Sequence, residues 1–109
     1  MQITITARHV SVGEEIKRYA QEKVEKLSRF YDRIQTIQVI IDHEGDEFTV
    51  EMIVSAEARS EFVAHEAGTD TQALIDVTID KLERQLVKHK ERIRDRTHLN
   101  KKPPAADAE

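Results

Sequence analysis

Cysteine is absent from the 109 residues, and so is tryptophan. Without cysteine the chain has neither a disulfide framework nor a thiolate metal site, which fits a reducing compartment. Glycine occurs three times, as isolated Gly13, Gly45 and Gly68, so no glycine-rich loop can cradle a phosphate. No apolar run approaches the ~20 residues that span a bilayer. The opening MQITIT alternates polar and apolar residues, so no signal peptide is expected. Catalytic patterns are missing too: His65-Glu66 has no second histidine four residues on, and no serine sits in a nucleophile-elbow context. These absences leave one cytoplasmic domain, long enough to bury roughly two-thirds of its unfolded surface. A metal, cofactor, membrane, small-molecule substrate or enzymatic activity is not expected.

What the chain does have is charge, and the charge is uneven. From Lys81 to Lys102 there are nine Lys/Arg against three Asp/Glu, a balance of +6; the first eighty residues hold eight against sixteen. Lys81, Arg84, Lys88, Arg92 and Arg96 recur every three or four residues, which places them on one side of a helix. Asp80, Glu83 and Glu91 are expected to project about the opposite way, sorted from the bases rather than interleaved with them. The overall charge is −4, but fields decay over ~8 Å at physiological salt. A phosphate beside this stripe therefore feels the stripe more than distant acids. The pattern points to a polyanion, most simply nucleic acid. A plain solvated helix face is the competing reading.

Periodicity predicts the order βαβββα. Ile3 and Ile5 alternate with threonines as a short strand. Ser11 and Glu14 form a capping box ahead of a helix reaching about Tyr31, with Ile16, Ala20, Val24 and Leu27 on its apolar stripe. Thr36–Asp42 reads as an interior strand, His43–Asp46 as a hairpin turn, Glu47–Ala56 as a strand and Glu57–Ser60 as a turn. A short strand, Glu61–Glu66, comes next. Thr69 to Gln72 offers a cap for a last helix reaching about Arg96, whose stripe is Ile75, Ile79, Leu82, Leu86 and Ile93 with His89 as a seam residue. The heptad-like spacing of that stripe also admits a coiled coil, but two and a half heptads are short for one. Residues 1–98 are read as one domain and 99–109 as a flexible tail, since Pro103-Pro104 is expected to end any regular structure. The fold class is α/β (α+β): a two-layer sandwich with a four-stranded mixed sheet, a parallel first pair, and both helices on one face, like a double-stranded RNA-binding domain.

Further basic residues lie elsewhere. Taking 100° per residue, Arg18, Lys23, Lys26, Arg29 and Arg33 share an arc of the first helix, where Glu22 could pair with Arg18 or Lys26. Lys23 lies near the centre of the apolar stripe, so its stem must snorkel and its head find an anion. Arg8-His9 follows the first strand and Tyr31-Asp32-Arg33 follows the first helix; both are places where loops reach ligands or cap helices.

MQITITARHV, KLSRFYDRI (residues 26–34) and above all IDVTIDKLERQLVKHKERI (residues 75–93) resemble the ribosome hibernation promoting factor family, and the resemblance covers residues 1 to about 96. It implies the same βαβββα fold and a protein that occupies the messenger and transfer RNA channel of the small ribosomal subunit in starved cells. Its ligand would be 16S-type ribosomal RNA, held through phosphates. By position the implied contacts are Lys23, Lys26, Arg29 and Arg33; Lys81, Arg84, Lys88, Lys90 and Arg92; and Arg8 with His9. Gln72 stands where many relatives carry an aromatic ring. Long members have a second, dimerising domain; short ones resemble this chain, and in some bacteria pair ribosomes with a separate ribosome modulation factor. Two other readings stay open: a structured-RNA module acting off the ribosome, and a protein-interaction domain using its last helix.

Overall fold

The computed structural model describes residues 1–97. Its elements are β1 (Gln2–Arg8), α1 (Glu14–Glu25), a single 3₁₀ turn (Lys26–Arg29), β2 (Ile34–Glu44), β3 (Glu47–Ala56), β4 (Glu61–Gly68) and α2 (Thr71–Thr97). The sheet order is β1-β2-β3-β4, with β1 and β2 parallel and the other pairs antiparallel. This is the expected βαβββα sandwich. The expected tail, residues 99–109, lies outside the described residues.

Strand alternation builds the core. Ile3, Ile37, Val54 and Phe62 share one rung of the ladder, and Ile5, Val39, Met52 and Ala64 share another. These side chains turn to the same face and pack with Ala20, Val24 and Leu27 from the first helical segment and with Ile75, Ile79, Leu82 and Leu86 from α2. The α2 stripe is therefore spent on the sheet, which removes the coiled coil. A fully buried leucine such as Leu82 or Leu86 contributes about 1.5–3 kcal/mol. Thr78, buried among them, donates its hydroxyl to the Leu74 carbonyl at 2.7 Å and so leaves no polar atom stranded. Glu51, with its neighbours Ile40 and His65, lies on the face away from the helices.

Four local expectations need correction. Ser11 does not cap α1: the N-cap is Gly13, with no side-chain hydrogen bond, and Ser11 lies two residues too early. The first α-helix also stops at Glu25, not Tyr31. There the Ser28 hydroxyl donates to the Glu25 carbonyl (3.0 Å), competing for an acceptor of the next α-turn, and the backbone tightens into the 3₁₀ turn. The β2–β3 connection is shorter than four residues: Glu44 pairs with Glu47, leaving Gly45 and Asp46 as a two-residue turn. Gly45 has φ +65° at the first central position, the place where a type II′ hairpin requires glycine. Finally, β4 runs on to Gly68, where a Cβ would come within 3.1 Å of the Leu74 side chain. Asp70 then caps α2, its carboxylate accepting from the N–H groups of Gln72 (3.1 Å) and Ala73 (3.3 Å), as expected for that stretch.

Connectivity fixes the direction of both helices. α1 leaves the end of β1 and returns to the start of β2, while α2 leaves the end of β4, beside Phe48 and the β2–β3 hairpin. Both therefore run from the hairpin end of the sheet to the opposite end. At that far end the His89 ring sits between Tyr31 (5.1 Å) and Phe62 (5.0 Å), both edge-on, the seam role expected of it. Phe62 is the second residue of β4. The helix after His89 thus runs beyond the sheet, by about 12 Å for residues 90–97.

Candidate nucleic-acid interface

The α2 bases divide by their partners. Lys81 forms an ion pair with Glu66, which stands on the helix-facing side of β4 at the sheet edge. Arg84 holds the Asp80 carboxylate at 2.9 Å. This overturns the expected segregation: residues four apart are neighbours on a helix, so Asp80 meets the stripe instead of opposing it. Glu83 and Glu91 also share a groove with Arg84 and Lys88. Lys88, Lys90 and Arg92 are exposed and have no ion-pair partner among the described residues. Lys90 falls about 200° round the helix from Lys88, so it belongs to the other flank. The side chains of Ile93 and Arg96, the last members of the two stripes, lie outside the described set.

On the first helical segment, Lys23 snorkels as its position demanded. Its ammonium lies 3.9 Å from Asp76 of α2 and 5.3 Å from the centre of the Tyr19 ring. Asp76 also accepts a hydrogen bond from the Tyr19 hydroxyl, so one carboxylate ties the two helices together. Lys26 and Arg29 follow on the 3₁₀ turn, which breaks the arc computed at α-helical spacing; both are exposed and unpaired among the described residues. Glu22 pairs with neither Arg18 nor Lys26 in the described ion pairs. Arg33 approaches Glu57 at 3.5 Å, and its carbonyl accepts from the Glu57 N–H, so it anchors the β3–β4 turn.

Arg8 and His9 occupy the hairpin end. β2 advances about 26 Å from Ile34 to Asp42, so these two are not brought together with the far ends of the helices. His9 has φ +58°, turning the chain out of β1, and its Nδ1 lies 2.9 Å from the Asp42 carboxylate. The hydrogen bond from His9, then that from the His43 N–H, hold the Asp42 carboxyl below its ordinary pKa of 3.8.

The bases therefore form two groups. Among the described residues Lys26, Arg29, Lys88, Lys90 and Arg92 have no ion-pair partner, with Lys26 lining a pocket beside Asp80 and Glu83 and Lys90 on the other flank of α2, while Lys23, Lys81 and Arg84 are held by acids. Exposed unpaired cations can exchange their solution counterions for phosphates. Sequence reasoning missed the carboxylates that hold the others, Glu66 and Asp76 above all. The Asp76–Asp80–Arg84 ladder was open to a helical reading; the Glu66 contact depends on strand register.

A model of the family described as Sigma 54 modulation protein / S30EA ribosomal protein matches residues 3–94. The chain belongs to this family. A ribosome hibernation promoting factor from Azotobacter vinelandii is 37% identical over 92 residues, covering 84% of this chain and 85% of that protein. The one from Escherichia coli K12 is 34% identical over 94 residues, covering 86% and 98%. Two solved structures share the fold at 24% identity. One is a ribosomal subunit interface protein from Coxiella burnetii (TM-score 0.77, 84% of this chain and 99% of that one). The other is the Protein Y N-terminal domain from Thermus thermophilus (TM-score 0.74, 82% and 99%). The family match runs from within β1 to within α2 and includes every candidate contact from Arg8 to Arg92.

Proposed function

We propose that this chain is a non-enzymatic ribosome hibernation factor of the cytoplasm. It binds the small ribosomal subunit in the channel used by messenger and transfer RNA, and so blocks translation and preserves idle ribosomes. Its relatives named as ribosome hibernation promoting factors support the hibernation role. The observation that carries the RNA contact is the set of exposed bases on the 3₁₀ turn and the later half of α2, Lys26, Arg29, Lys88, Lys90 and Arg92, which have no ion-pair partner among the described residues. Positive charge there also suits the negative ends of the helix dipoles, but dipole stabilisation does not require five exposed cations on two neighbouring elements. Two groups from the site add to the surface: Arg8 with His9 at the hairpin end, and Arg33 beyond the 3₁₀ turn.

Folding units, by this reading, are residues 1–98 as the ribosome-binding domain, with 16S-type rRNA as the direct partner. Sedimentation with purified small subunits at moderate salt tests the proposal. The protein should travel with the subunit. If it stays at the top of the gradient, the proposal fails, and an off-ribosome RNA module or a protein-interaction role through α2 takes its place.

A further inference from the structure

Between the 3₁₀ turn and α2 lies an open groove of about 400 Å³, lined by Phe30, Glu83, Arg84, Val87, Lys88 and Glu91. That volume is within the ~300–1,000 Å³ range of small-ligand sites. Phe30 is half-buried and packs against the core, which holds its ring in place. Val87 is 37% exposed, an apolar side chain among charged neighbours. Glu83 and Glu91 set a puzzle for an RNA-facing surface, because two carboxylates repel a phosphate backbone. They do not repel a base edge that offers N–H donors.

We propose that this groove takes one unstacked guanine nucleotide of the bound RNA. The base lies against Phe30 and Val87, and its phosphate meets Lys88 and, in place of the exposed Asp80 carboxylate, Arg84 one helical turn away. A glutamate accepts from the base edge. Guanine is the fitting base because N1–H and the N2 amine stand side by side and match the two oxygens of a carboxylate. Adenine and cytosine offer an amine beside an acceptor, and uracil flanks its only N–H with two carbonyls. Splayed single-stranded bases held by an aromatic ring and read on the Watson–Crick edge are the usual route to specificity on RNA. This inference rests on the RNA-binding reading above and adds a base preference to it.

The test uses the full chain, isotope-labelled for NMR and titrated separately with 5′-GMP, 5′-UMP and inorganic phosphate. GMP should move the Val87 methyl and Phe30 ring signals and bind about tenfold tighter than UMP, while phosphate should move only Arg84 and Lys88. Phe30→Leu, which keeps an apolar side chain on the core, should lose about tenfold in GMP affinity, as expected for one base–aromatic stack. Glu83→Gln combined with Glu91→Gln, the first half-buried and the second exposed, should abolish the preference for GMP over UMP. Equal affinity for the two nucleotides, shifts confined to Arg84 and Lys88, or a preference for a cationic amphipathic peptide over GMP would overturn the inference. Sedimentation with the subunit stays a separate readout: if it succeeds while GMP fails, the base pocket falls and the RNA reading stands.

Discussion

The two halves of α2 carry unequal numbers of bases, two in residues 71–84 and five in residues 85–97, and use them differently. In the upper half, Lys81 and Arg84 already hold Glu66 and Asp80. In the lower half, Lys88, Lys90 and Arg92 hold no carboxylate among the described residues. A phosphate arriving at Lys81 displaces a protein carboxylate and gains little. One arriving at Lys88 displaces small ions, whose release drives binding. Position along the helix, more than the number of bases, decides what each contributes. The first helical segment repeats the lesson, with Lys23 held by Asp76 and then Lys26 and Arg29 unpaired on the turn.

The largest expected effect tests that division directly. Replacing Lys26, Arg29, Lys88, Lys90 and Arg92 by Gln should flatten the slope of log K against log salt by about 3.5–4.5, at ~0.7–0.9 per phosphate contact. The same change at Lys23, Lys81 and Arg84 should flatten it by less than about 1. Binding of labelled protein to small subunits over a salt series measures both, and equal flattening would break the comparison. A second prediction separates binding from folding. Leu86→Ala, cut from the core beneath the stripe, should cost about 2–5 kcal/mol in urea unfolding. Lys88→Gln should stay within about 0.5 kcal/mol of the parent.

Opposite signs give the sharpest contrast. Glu66→Gln and Asp76→Asn release Lys81 and Lys23 and should tighten subunit binding, by up to about fivefold each given the small worth of exposed pairs. Weaker binding in both would mean that the acids position the bases for RNA. The smallest effect concerns the hairpin end. Asp42 has its pKa lowered in the folded protein, so its contribution is fully present above about 3.8 and is lost as pH falls through the lower folded value. The stability difference between the parent and Asp42→Asn should therefore be constant near neutrality and shrink only below pH ~4. Chemical unfolding at several pH values reads it, and a difference that grows toward acid would reverse the sign.

Much of the fold was legible because its signals are local. Alternation marked the strands, the 3.6-residue stripe marked α2, and the Thr69–Gln72 stretch marked its cap. The errors fell where a local rule had a close competitor. The Ser11–Glu14 spacing satisfied a capping box, yet the helix starts at Gly13; Ser28 ended an α-helix that the apolar stripe carried onward. For the interface, the basic residues were readable and their availability was not. Glu66 reaches Lys81 only because of the β3–β4 register, and Asp76 meets Lys23 only because the helices lie side by side. Lys90, off the stripe by helical geometry, entered through family resemblance alone. The groove at Phe30 is built from two segments more than fifty residues apart, and no pattern in either announces it.

A hydroxyl-radical footprint of the small-subunit RNA, with and without the protein, tests the central claim most directly. Protections confined to the walls of the messenger and transfer RNA channel, and lost when Lys26, Arg29, Lys88, Lys90 and Arg92 are replaced by Gln, are the predicted result. Protections elsewhere on the subunit, or a channel footprint that survives those replacements, would contradict it.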